Sequence, residues 1–182
     1  MIEQRARSLL PLAFLGLVLA TPAVAGAGAE AGAAGAGAEP PVLAILPLKL
    51  LDTSGEPVDQ GPAHGRRLAA MADGLTADLA ATGGYRTVRL IPDRLRSRCP
   101  DERPDCLLAA AGEAGAGLVF VGVVHKSSTL ILQLFARVVD VRTGQAVLTR
   151  DLNFRGDTDE AWRRAEAFLA GQIREAAPGR AP

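Results

Sequence analysis

Residues 26–41 read GAGAEAGAAGAGAEPP, a stretch without one large apolar side chain to bury. Such a segment cannot repay the entropy of being ordered, so it is expected to be a flexible leader. It divides the chain. Everything that can build a core must come after it, and the one apolar run before it must serve another purpose.

That earlier run is Leu9–Ala20, preceded by Arg5 and Arg7 and followed by Thr21-Pro22 and Ala23-Val24-Ala25. A positive end, a short apolar centre and an A-x-A site stand in the order of an export signal, with cleavage expected between Ala25 and Gly26. The run is shorter than the roughly 20 apolar residues a spanning helix needs. No Cys follows it for a lipid anchor, and the two arginines are not adjacent as a twin-arginine signal requires. The expected product is periplasmic, with no stable membrane anchor. The expected organisation is a signal peptide over 1–25, a leader over 26–41, a single domain over 42–176 and a disordered tail over 177–182.

An oxidising compartment gives the two cysteines a reading. Cys99 and Cys106 flank CPDERPDC, and an even count at short spacing points to a disulfide. A redox pair would favour C-x-x-C, and a zinc site would want a nearby His. A net charge of +0 lacks the basic excess of nucleic-acid binding. Aromatic residues at 4% supply no stacking platform, so the core has to be aliphatic.

The first run after the leader, Val42–Leu48, is continuously apolar, as in a strand covered on both faces. Pro47 is expected to fray the pairing at its end, and residues 51–65 read as a loop. Leu68, Met71, Leu75 and Leu79 recur at helical spacing, and Gly83-Gly84 stops the helix. Tyr85–Ile91 alternates as a strand, and Pro92 closes it. The Cys-bounded loop leads to a short helix over Leu107–Ala114.

Gly117–Val124 is strand-like, and His125-Lys126-Ser127-Ser128 reads as a turn. Thr129–Val141 is a long strand with Leu130, Leu132, Leu134, Ala136 and Val138 on one face. After the Arg142–Gln145 turn, Ala146–Phe154 completes an antiparallel meander. Asp157 is placed to cap a last helix, with Glu160 reaching back. Trp162, Ala165, Leu169 and Ile173 form that helix's apolar stripe, leaving Arg163, Arg164, Glu166 and Arg174 outward. The expected fold is α/β (α+β), a mixed sheet of about five strands with a three-strand C-terminal meander, two main helices and one short one.

Catalytic patterns are missing. There is no G-x-S-x-G elbow. His64 and His125 stand in unrelated segments without H-E-x-x-H, and a lone surface His is ordinarily solvated. GEAGAG at 112–117 precedes a strand and lacks a P-loop Lys. No cofactor and no metal is implied. Two places are candidate contact surfaces: the 125–128 turn with His125 and Lys126, and the 153–163 junction with Arg155, Asp157, Asp159, Trp162 and Arg163. The ordinary alternative for the junction is a turn, a cap and one buried Trp.

Three motifs carry a resemblance. Val121–Lys126 (V-G-x-V-x-K), Asp140–Gly144 (D-V-x-T-G) and Arg155–Trp162 (R-G-x-T-D-E-x-W) resemble an exported bacterial family known only as a domain of unknown function. More distantly, Gly115–Val123 is similar to the "G-A-D-x-V-x-G-x-V" segment of the N-terminal domain of the translocation protein TolB and of curli-secretion-channel-like domains. Gly117 stands where Asp is usual. The resemblance implies a non-enzymatic accessory module of an envelope or periplasmic protein complex, with a protein partner. The alternative is a small-molecule binding protein in which Lys126, Arg155 and Arg163 hold an anionic ligand. A hydrolase has the weakest support.

Overall fold

The computed structural model describes residues 39–177. The expected signal peptide, its cleavage point, most of the leader and the last residues of the tail lie outside them. The elements run β1 (Val42–Ile45), β2 (Lys49–Asp52), α1 (Gly61–Ala81), β3 (Arg86–Arg89), α2 (Pro92–Arg98), α3 (Pro104–Glu113), β4 (Leu118–Lys126), β5 (Ile131–Asp140), β6 (Ala146–Arg155) and α4 (Asp159–Glu175). One six-stranded mixed sheet has the order β3-β1-β4-β5-β6, with β2 also pairing β4. The β1, β2 and β3 pairings are parallel, and β4-β5-β6 is the antiparallel meander.

The sequence reading differs from this in four places. The apolar run breaks at Pro47, and the chain pairs again as β2 along the far half of β4. The expected loop over 51–65 therefore begins as strand and ends as helix, because Pro62 sits in the first turn of α1, where its missing N–H costs nothing. Pro92 opens α2 in the same way. Finally, β4 runs on through His125 and Lys126, so the turn begins only at Ser127.

Alternation assigns the sheet's two faces. Phe120 and Val124 of β4 and Leu132, Leu134, Ala136 and Val138 of β5 point inward, against Met71, Leu75 and Leu79 of α1 and Trp162, Leu169 and Ile173 of α4. Gly122 lies on this face too, and a Cβ there would sit 3.0 Å from both Leu48 and Phe120. On the other face a smaller core of Ala44, Leu46, Ala111, Ala116 and Val119 lies under α3. Leu130, expected on the inner face, is 69% exposed beyond the end of β5.

The Cys99–Cys106 disulfide is present, linking the end of α2 to the first turn of α3. Closing so short a loop is worth about 2–3 kcal/mol. A Cys99→Ser, Cys106→Ser variant is expected to lose that much in urea unfolding. Reductant should lower the wild type to the same value and leave the variant unchanged.

Candidate functional site

β4 and β6 end, β5 begins, and both long helices start at one end of the sheet. The helices run parallel, since Arg67 meets Asp159 and Gly74 meets Glu166, seven residues further along each. Gly156 turns the chain from β6 into α4 at φ 88°, a left-handed conformation that favours glycine. The backbone N–H of Asp157 then donates to Thr129 O at 2.9 Å, which fixes where that side chain points.

It points inward. The Asp157 side chain is fully buried and accepts four hydrogen bonds. His64 Nε2 (2.7 Å) and Lys126 Nζ (3.0 Å) meet Oδ2, while Arg67 Nη1 (2.8 Å) and Trp162 Nε1 (2.9 Å) donate to Oδ1. Lys126 is 0% exposed, His64 3% and Trp162 2%. Lys126 also donates to Glu56 at 2.9 Å and lies 3.7 Å from Asp52, and Arg67 reaches Asp159 at 2.6 Å. Thr129 and Gln60 donate to Glu56. The rings of His64 and Trp162 stack at 6.2 Å, and Phe154 meets Trp162 edge-on at 5.8 Å.

A buried ion survives only with its partners in place. Burial works against the charged form of Asp157, but bonds from His64, Lys126 and Trp162 outweigh it and hold the pKa at about 2. Burial also opposes the charge on Lys126; Glu56, Asp157 and Asp52 reverse that and raise its pKa. The two helix N-termini add favourable dipole charge beside the carboxylate.

Carboxylate and imidazole side by side are half of a nucleophile-activating relay. Here the imidazole is sealed against Trp162, and Asp157 is its hydrogen-bond partner. Asp157 joins strand ends, loop and both helices in one contact.

These positions revise the surface reading. Lys126 and Asp157 are core residues, so their side chains cannot form a contact surface, and Trp162, 2% exposed, reaches only the floor of a groove between α1 and α4. Asp157 is not the helix cap. Thr158 is, its Oγ1 accepting from Ala161 N at 3.2 Å, while Glu160 pairs with Arg163. Nor is His64 a solvated surface residue. Asp159 and Arg163 are exposed at the start of α4, Arg155 is exposed at the end of β6, and His125 is half-buried with its Nε2 2.8 Å from Thr53 Oγ1. Lys126 thus turns into the core, while Arg155 and Arg163 stay exposed. Glu166, expected to face outward, is 6% exposed because Gly74 opposite has no Cβ to exclude it.

Two surfaces remain open. On the outer face of β2, β4 and β5, Leu51, Val121, Ile131 and Phe135 are 53%, 37%, 54% and 38% exposed. Cross-strand pairing sets Leu51 beside His125 and Val123 beside Phe135. Helices α2 and α3 stop short of this stripe. On the inner side, a groove of about 550 Å³ between α1 and α4 is lined by Ala70, Met71, Gly74, Trp162 and Glu166, with Arg66 and Arg163 also contributing.

The chain belongs to the family described as "Protein of unknown function (DUF2380)", whose model matches residues 41–173. No curated protein matches it. Among solved structures, the PelC dodecamer from Paraburkholderia phytofirmans is similar with a TM-score of 0.51 at 15% identity, over 80% of this chain and 94% of that one. The hypothetical protein CT253 from Chlamydia trachomatis gives 0.51 at 11% identity, over 77% and 99%. TolB from Acinetobacter baumannii, whose likeness was expected from the residues, gives 0.47 at 19% identity, over 78% of this chain and 29% of that one. At these identities the likeness to PelC and CT253 shows the fold alone.

Proposed function

We propose that this chain is a periplasmic, non-enzymatic interaction module that serves an envelope or periplasmic protein complex. The uncovered stripe Leu51, Val121, Ile131 and Phe135 carries the reading. Exposed apolar side chains gathered on one sheet face mark a candidate protein contact site; His125 and Gln133 lie among them, and Lys49, Arg137, Asp151 and Arg155 border them on the same face. The export signal and the disulfide support the compartment. The dodecameric assembly of PelC, which shares the fold, makes a second copy of this chain one candidate partner.

Affinity capture of the exported, tagged protein tests this against Phe135→Asp, a change at a half-exposed position that the fold should tolerate. The wild type is expected to recover a partner, or further copies of itself, reproducibly, and the variant at least tenfold less. Equal recovery by both, or no recovery by either, contradicts the proposal. The alternative anionic-ligand reading loses Lys126, which is spent on Asp157 and Glu56.

A further inference from the structure

The groove between α1 and α4 holds one group that the fold leaves unsatisfied. Glu166 is 6% exposed, lines the groove, and its buried Oε1 has no hydrogen-bond partner. Its carboxyl sits over the bare Cα of Gly74, where a Cβ would lie 2.8 Å from the carboxyl carbon. A buried carboxyl without a donor is costly, and a donor could reach it from the groove. Asp78 of α1 and Arg174 of α4 are its charged neighbours; burial first, and then Asp78, favour the neutral acid, and Arg174 opposes them.

Of the other charged groups lining the groove, all but Arg66 are paired. Arg67 is held by Asp157 and Asp159, and Arg163 pairs with Glu160. Arg66 forms no ion pair among the described residues and makes a single bond, from Nη1 to Pro62 O at 3.1 Å. Between Arg66 and Glu166 lie Ala70, Met71 and Trp162, an apolar floor. From Arg66 to Gly74 is eight residues of helix, about 12 Å. An apolar body with a donor at one end and an anion at the other fits this order. Three extended residues span roughly 10 Å.

We propose that this groove binds a short apolar peptide with free ends, its ammonium on Glu166 and its carboxylate on Arg66. A peptide ammonium supplies the missing donor and lets the carboxyl ionise. The groove lies across the sheet from the Phe135 stripe and is independent of the interaction reading.

Trp162 is the only Trp in the chain and lines the groove, so its fluorescence reports occupancy, with calorimetry as a second readout. The exported protein is titrated with trileucine, N-acetyl-trileucine and trileucine amide, each up to about 10 mM. Saturable binding of trileucine is expected. Both capped peptides should bind at least tenfold more weakly, as should trileucine to Glu166→Gln and Arg66→Gln variants whose circular dichroism is unchanged. No saturable binding of trileucine by either readout overturns the proposal. So does equal affinity for the capped peptides or in the variants.

Discussion

Replacing Asp157 with Ala is expected to remove about 3–5 kcal/mol of folding stability, the loss that follows when one member of a buried ion cluster is deleted and its partners stay behind. Lys126, at 0% exposure, would keep only Glu56 and the more distant Asp52. His64 would lose its hydrogen-bond partner, and Trp162 Nε1 its acceptor. Urea unfolding near pH 7 measures the loss. Lys126→Met, which removes the buried cation and keeps an apolar stem, should cost less than Asp157→Ala, because Arg67, His64 and Trp162 still hold the carboxylate. The same contact sets an acid limit. A carboxyl held at about 2 against an ordinary 3.8 stabilises the fold fully above the ordinary value. That contribution, about 2 kcal/mol, fades as pH falls from about 4 through 2. A stability–pH curve flat across that interval would contradict the cluster as described.

Glu166 should act in the opposite sense. Burial and the neighbouring Asp78 lift its pKa from 4.5 to about 7, against the pull of Arg174. Below 4.5 the carboxyl is protonated both folded and unfolded and costs nothing through ionisation. As pH rises from 4.5 to 7 the unfolded chain releases the proton and the folded chain keeps it, so the fold loses stability over that window. Glu166→Gln cannot ionise. Its stability relative to the wild type should therefore climb by about 2–3 kcal/mol between pH 4.5 and pH 8 and then level off. Parallel unfolding curves at pH 5, 6, 7 and 8 measure it. A constant offset between variant and wild type would show that Glu166 is solvated after all.

Much of the fold was legible from periodicity. The inner-face residues of β5 and the core stripes of α1 and α4 follow from alternation and helical spacing alone, because burial imposes those periods on any chain that folds. The second strand was hidden by Pro47, which interrupts the run without ending the pairing. Helix α2 was hidden because its seven residues are mostly polar and none is buried.

The candidate site was legible in part. Lys126 continues the inward series Phe120, Gly122, Val124, and His64 stands four residues ahead of Leu68 on the α1 stripe. Both patterns put a polar group in the core, and a core Lys demands a buried acid. A strand that ends at Val124 conceals the first signal, and a loop that runs to residue 65 conceals the second. That Asp157 would be the acid could not be read from spacing, since it depends on how Gly156 turns the chain toward α1. The burial of Glu166 does not show in the spacing of α4, because it depends on a missing Cβ at Gly74 on another helix.

Site-specific photo-cross-linking tests most directly whether the outer face of β2, β4 and β5 binds protein, as proposed. A photoreactive residue is placed at Phe135 in one protein and at Ala77 in another. Ala77 is exposed on α1, which packs on the opposite face of the sheet. Both are irradiated in the native compartment. Discrete adducts from position 135, to another protein or to a second copy of this chain, and none from position 77 are the predicted result. No adduct from 135, or the same adducts from both positions, would contradict the account.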